Sequence, residues 1–154
     1  MQPYIFPYIG YFQLMNAVDR FIVLDDVNFK KAGWINRNRL IVNGKEYLFT
    51  IQVKKSSQNK LINEINIAYD EQWSARLVTT IEQSYSKSAS FSDGIDIVRK
   101  VFLSGINNLS GFILKSLYLI KTYLDIRTEI VESSSVYEND NMVGQERIIN
   151  ICKK

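Results

Sequence analysis

Apolar positions run along this chain in three rhythms, and each predicts a different kind of element. Phe21-Ile22-Val23-Leu24 is a continuous apolar run that ends at Asp25-Asp26. Such a run reads as a strand buried on both faces, central in a parallel sheet. Leu40-Ile41-Val42 and Tyr47-Leu48-Phe49-Thr50-Ile51 flank Asn43-Gly44, a dipeptide that accepts the positive φ values of a type I′ turn, which predicts a β-hairpin. Ile65-Asn66-Ile67 suggests a weaker strand. Ahead of all these, Pro3 and Pro7 space out an aromatic segment, and Gly10 leads into a short helical pattern of Phe12, Leu14, Met15 and Val18.

Helical spacing dominates the second half. Asp70 can cap a helix carrying Trp73, Leu77, Ile81 and Tyr85 on one face. A second helix spans Phe91 to Leu103, with Ile95, Val98 and Phe102 in a stripe. Asn108 caps a third that reaches Leu124, with Phe112, Ile113, Leu117, Ile120 and Leu124 inward. Arg127 to Val131 reads as a strand, and Gln145 to Cys152 as a last helix packing Ile148, Ile149 and Cys152. Strand, helices, strand, helix in that order predict an α/β domain with a mostly parallel sheet, a hairpin insertion and a helical second half.

With 154 residues and 46% apolar content the chain can bury one core. The net charge of +3 is mild but unevenly placed. Lys30, Lys31, Arg37, Arg39, Lys45, Lys54, Lys55 and Lys60 face only Glu46 across that stretch. Their field would suit a phosphate or carboxylate ligand, and a solvated hairpin face explains them as readily. A single cysteine, Cys152, rules out an intrachain disulfide and fits a reducing, cytoplasmic setting. No signal peptide is visible at the start, and Lys115 and Lys121 break the most apolar stretch, so no membrane span is expected.

The chain has no histidine. Ser–His–Asp and Cys–His catalysis within it are excluded, as is an ordinary Cys/His zinc site. No glycine spacing matches a dinucleotide fingerprint or a phosphate loop. No pattern identifies a cofactor or a metal.

Three features remain as candidate chemistry. Gly10, following Pro3 and Pro7, opens a helix whose free N–H groups could meet a phosphate; a rigid aromatic arm on the core is the plainer reading. Asp25 and Asp26 stand where a strand leaves the sheet, the end at which open α/β sheets bind ligands. Adjacent strand residues point to opposite faces, so only one of the two would serve a given site. Trp34-Ile35-Asn36-Arg37-Asn38-Arg39 runs into the hairpin. There Arg37 or Arg39 could clamp a phosphate, Asn36 could donate and accept, and Trp34 could stack on a base or sugar. Ser133-Ser134 with Glu146 and Arg147 forms a smaller candidate, explained equally well by surface capping. Cys152, on the apparent apolar stripe, reads as core.

QPYIFPYIGYF (residues 2–12), DRFIVLDDVNF, WINRNRL, EQSY and ERIINICK, in this order, resemble the WbqC-like family over nearly the whole chain. Members of that family occur in bacterial surface-polysaccharide gene clusters, and its founding member is described as a glycine transferase. The resemblance implies acyl transfer to an amino-sugar. It also implies a chain shortened at both ends: members usually open with a strand ending in His-Gln-Pro, and continue past the equivalent of Cys152 into a further strand and a Ser-Gly-Pro-Ser-type loop. Residues 1–154 would then be a single domain, incomplete at its C-terminus. The Pro-x-x-Gly-type loop that opens a helix, followed by a strand ending in acids, is similar to the start of nucleotidylyltransferase-type Rossmann-like folds. Tyr8 and Tyr11 stand where those folds use histidines.

The function expected from this is a transferase acting on a nucleotide-linked amino-sugar. Gln2, Tyr4, Gly10 and Tyr11 would form a loop over the ligand. Asp26, beside Asp25, would hold the amine or act as base, and Asn36 with Arg37 would hold the phosphates beside Trp34. Gly10, Asp26, Asn36 and Arg37 are expected to converge on one cleft. A non-catalytic binding or assembly domain is the alternative, and an RNA-binding domain using the basic hairpin is a weaker one. The shortened ends would also expose a sheet edge through which copies could associate.

Overall fold

The computed structural model describes residues 1–54, 59–139 and 141–154. Lys55, one of the basic cluster, lies outside the described residues. The described residues form a mixed helix and strand structure with five α-helices and three two-stranded sheets. In chain order these are α1 (Ile9–Asn16), β1 (Arg20–Ile22), β2 (Arg37–Val42), β3 (Lys45–Thr50), β4 (Val53–Lys54), β5 (Asn66–Ile67), α2 (Glu71–Tyr85), α3 (Phe91–Phe102), α4 (Leu109–Tyr123), β6 (Glu129–Val131) and α5 (Gly144–Lys153).

The apolar run and the late strand come together as the parallel pair β1–β6, with Phe21 opposite Ile130. Two further bonds extend the pairing: Val23 N donates to the Val131 carbonyl at 2.9 Å, and Ser134 N to the Val23 carbonyl at 2.8 Å. On the other side of β1, Met1 N donates to the Ile22 carbonyl and Met1 O accepts from Leu24 N, both at 2.8 Å. That is the bonding of a single parallel ladder rung. Phe21 and Val23 are buried whereas Ile22 and Leu24 are only half covered. The strand is therefore sealed on one face rather than both.

β2 and β3 form the hairpin, closed by Asn43 at φ 51° and Gly44 at φ 74°. Both central residues take the positive φ that a type I′ turn requires. β4 and β5 pair antiparallel. Asp70 caps α2 by accepting from Trp73 N at 3.0 Å, and Asn108 caps α4 by accepting from Gly111 N at 3.0 Å. These bonds satisfy amide donors that have no partner inside the helix. The inward residues of α2, α3 and α4 meet around Phe102, which contacts Phe6, Phe49, Trp73 and Phe112 as aromatic neighbours. At the end of α4, Leu124 is exposed rather than inward.

The last helix departs from its expected face. Arg147 and Ile151 are the buried residues of α5, while Ile148, Ile149 and Cys152 are exposed. The apolar stripe is not the packed one, because the side that packs leads with Arg147, drawn inward by the buried Asp26 carboxylate. Leu14, Val18, Ile148 and Cys152 instead line a shallow apolar groove of about 160 Å³ along β1, beside Met1. Among the described residues no helix is long and apolar enough to cross a membrane.

Candidate functional site

The N-terminal arm crosses the molecule from β1 to the hairpin and builds one wall of a cleft. Ile5 N donates to the Ile35 carbonyl at 3.1 Å. Asn38 then holds the arm through its Nδ2, which donates to the Ile5 carbonyl at 3.0 Å and the Phe6 carbonyl at 2.6 Å. Phe6 sits between these bonds at φ 46°, a left-handed conformation costing a non-glycine residue roughly 1–2 kcal/mol. A glycine would remove that cost but would also remove the ring that stacks on Phe102 at 5.8 Å. The Asn38 clamp and the aromatic contact hold the strained residue in place.

The cleft so formed has a volume of about 350 Å³ and is lined by Tyr4, Ile5, Pro7, Tyr8, Trp34, Arg37 and Asn38. Arg37 and Arg39 alternate outward along β2, and each guanidinium lies 5.1 Å from the centroid of the Trp34 ring. Arg39 also pairs with Glu46 at 3.3 Å across the hairpin. Arg37 is different. Its Nε is the one buried side-chain nitrogen or oxygen without a hydrogen-bond partner among the described residues. A buried donor left unsatisfied costs roughly 1–3 kcal/mol, more for a charged group, so the position invites an acceptor.

Asn36 is buried and points the other way. Its Nδ2 donates to the Ile51 carbonyl at 2.8 Å, while its own carbonyl accepts from Ile51 N at 2.7 Å. Beside it lies a second cleft of about 230 Å³, lined by Phe29, Lys31, Ala32, Asn36, Arg37, Thr50, Ile51, Gln52 and Val53.

Gly10 does not line either cleft but supports one that does. A Cβ there would come within 2.3 Å of Tyr8 Cε2, because the tyrosine ring lies against the glycine. Tyr8 itself is 72% exposed at the cleft mouth. Gly10→Ala should therefore push the ring aside, weakening cleft ligands several-fold with little loss of stability. In a Tyr8→Ala background the same change should instead stabilise by about 0.5–1 kcal/mol, since alanine outranks glycine within a helix. Urea unfolding of the wild type and the three variants checks this double-mutant cycle.

Gln2 accepts a hydrogen bond from the Tyr4 hydroxyl at 3.2 Å, and its carbonyl accepts from the Tyr11 hydroxyl at 3.1 Å. Tyr11 lies in the core at 1% exposure, and burial pushes its hydroxyl pKa up. At neutral pH it is a fixed donor bracing the arm from below.

The acid pair occupies a separate, buried network. Asp25 Oδ2 accepts from Ser110 Oγ at 2.8 Å and Asp25 Oδ1 from Ser133 Oγ at 2.6 Å. Asp26 accepts from Ser134 Oγ on one oxygen and pairs with Arg147 Nη2 on the other. Arg147 Nε donates to Asn139 Oδ1 at 2.9 Å, and Asn139 Nδ2 to Asn150 Oδ1 at 3.0 Å. Ser134 is 0% exposed and Arg147 7%. Both acids are thus engaged at the carboxyl ends of β1 and β6, and Asp26 lines neither cleft. Of the four residues expected to converge, only Asn36 and Arg37 share a cleft, the second; Gly10 and Asp26 line neither. Arg37 also joins Tyr4 and Trp34 in the first cleft, while Asp25 and Asp26 turn instead to Ser110, Ser133, Ser134 and Arg147.

Two contributors to the first cleft, Asn38 and Tyr8, were not marked for a binding role by the residue pattern. Asn38 stood inside the WINRNRL motif, yet its use depends on meeting the carbonyls of Ile5 and Phe6. Tyr8 shows in the sequence only as the residue standing where similar loops carry a histidine.

Residues 2–154 match the model of the WbqC-like protein family. The chain belongs to that family. It is 30% identical over 151 residues to a Mycobacterium tuberculosis (strain ATCC 25618 / H37Rv) protein named Uncharacterized protein Rv1507c, a match covering 96% of this chain. The chain spans 64% of the length of that relative. No solved structure matches it.

Proposed function

We propose that this domain binds a nucleotide-linked amino-sugar in the cleft between the N-terminal arm and the hairpin, as part of a transferase that acylates the sugar amine during bacterial surface-polysaccharide synthesis. The observation that carries the reading is Arg37, which lines an aromatic cleft and whose buried Nε has no hydrogen-bond partner among the described residues. A phosphate oxygen is the acceptor such a fork fits best. Lys31 and Arg39 stand nearby and add positive field. The same reading takes β1–β6 as the kernel of a Rossmann-like sheet in a cytoplasmic protein, and the rung made by Met1 as a place where a further strand, or a second copy, can add to the edge.

The arrangement of Asp26 favours a second reading on one point. With its oxygens held by Ser134 and Arg147, it offers the cleft no general base, as a non-catalytic nucleotide-sugar-binding domain would have it.

Thermal melting against a panel of nucleotide-sugars tests the ligand class. A true ligand at about 100 times its Kd should add roughly 2.7 kcal/mol, raising Tm by roughly 5–10 °C for a domain of this size. An unchanged Tm across the panel would remove the proposal. Release of an acyl donor's leaving group in the presence of that ligand separates the transferase from the binding domain.

A further inference from the structure

Arg37 is the one residue that lines both clefts, and this sharing bears on what the ligand must look like. On one side the walls are aromatic and apolar: Tyr4, Pro7 and Tyr8. On the other they are polar, with Lys31, Asn36, Thr50 and Gln52. Between them stands a guanidinium whose Nε has no hydrogen-bond partner among the described residues.

The indole of Trp34 adds a constraint. Both guanidiniums sit 5.1 Å from its ring centroid, so Trp34 is engaged with the two cations. Stacking partners in the first cleft are then Tyr4 and Tyr8. Arg37 and Arg39 are two residues apart on β2 and share one side of the strand. Two cations at that spacing suit an anionic group carrying more than one phosphate.

We propose that a single ligand spans both clefts: its phosphates lie on Arg37, its planar base lies in the aromatic cleft, and its hydroxyl-rich sugar lies in the polar one. This rests on the nucleotide-sugar reading above and deepens it. The recognised unit becomes a diphosphate flanked by two unlike groups, rather than a free nucleotide or a sugar phosphate.

Calorimetric titration of the full chain with UDP-N-acetylglucosamine, UMP and N-acetylglucosamine 1-phosphate tests it. Two variants change exposed positions and spare the core: Tyr8→Ala in the first cleft, and Lys31→Ala with Gln52→Ala in the second. The expected result is a double dissociation. Tyr8→Ala weakens UDP-N-acetylglucosamine and UMP at least fivefold and leaves the sugar phosphate unchanged. The Lys31/Gln52 variant weakens UDP-N-acetylglucosamine and the sugar phosphate and leaves UMP unchanged. Arg37→Ala weakens all three. If UDP-N-acetylglucosamine binds but either cleft variant leaves its affinity unchanged, or both act on the same half-ligand, one cleft suffices and the spanning arrangement is wrong. If none of the three binds, both this inference and the nucleotide-sugar reading fall.

Discussion

Replacing Arg37 by alanine is expected to cut nucleotide-sugar affinity by roughly 10- to 150-fold, the loss of one charge-assisted hydrogen bond worth about 1.5–3 kcal/mol. Stability should hold or rise by up to about 2.5 kcal/mol, because the change removes the roughly 1–3 kcal/mol cost of the unsatisfied Nε and gives up stacking on Trp34 worth only about 0.5–1 kcal/mol. A large loss of binding with no loss of Tm is the signature of a residue kept for its ligand. Arg37→Lys should recover only a small part, since an ammonium keeps the charge but loses the planar fork. Titration together with thermal melting reads both quantities. A steep fall in Tm for Arg37→Ala would reassign the arginine to the scaffold.

The largest stability effect belongs to Arg147 and Asp26. Removing one member of a buried ion pair costs about 3–5 kcal/mol, a fall of roughly 6–20 °C in Tm. Arg147→Met also strands the Asn139 oxygen that its Nε now reaches. The pair need not be net stabilising against an apolar equivalent, so Asp26→Leu with Arg147→Met should recover much of the loss. Urea denaturation of the two single variants and the double variant supplies the cycle. Asp26→Asn adds a functional arm to the same experiment. Should it leave Tm within a degree or so while abolishing acyl transfer, Asp26 would be a catalytic base after all. The hydrogen bonds from Ser134 and Arg147 predict the opposite order, with stability lost first.

Local chemistry was the legible part of this sequence. Asn43-Gly44 announces its turn because few other dipeptides tolerate two positive φ values, and Asp70 and Asn108 announce helix starts because their side chains reach amides three residues on. The apolar run at Phe21 and the strand near Ile130 were each visible, and their parallel pairing follows from the helices between them. Hidden features depend on encounters between distant segments. Arg147 looks like a surface residue until Asp26 is set beside it. Asp25 and Asp26 look like a strand exit with one residue outward until Ser110, Ser133 and Ser134 close over both. Asn38 becomes a clamp only when the arm lies across it. The arginine of the cleft could be picked from WINRNRL, but its missing partner is a property of packing that no periodicity records.

The positions of these parts along the chain carry a consequence for the order of assembly. The arm, hairpin and both clefts lie within the first 54 residues, where contacts are local and a hairpin forms in about 1–10 μs. The acids sit early as well, but the serines that seal them lie 108 residues further on for Ser133 and Ser134, and Arg147 lies 121 residues beyond Asp26. Closing such a span costs roughly 2 kcal/mol more chain entropy than closing a ten-residue loop. On a ribosome adding about 5–20 residues per second, Asp26 would wait on the order of 10 s for its arginine to be made. During that interval two carboxylates remain in water at the end of a strand whose partner, β6, also has still to be made. The arm and hairpin are thus the part of the protein that can take shape first, and α5 is the element that locks Asp26 away.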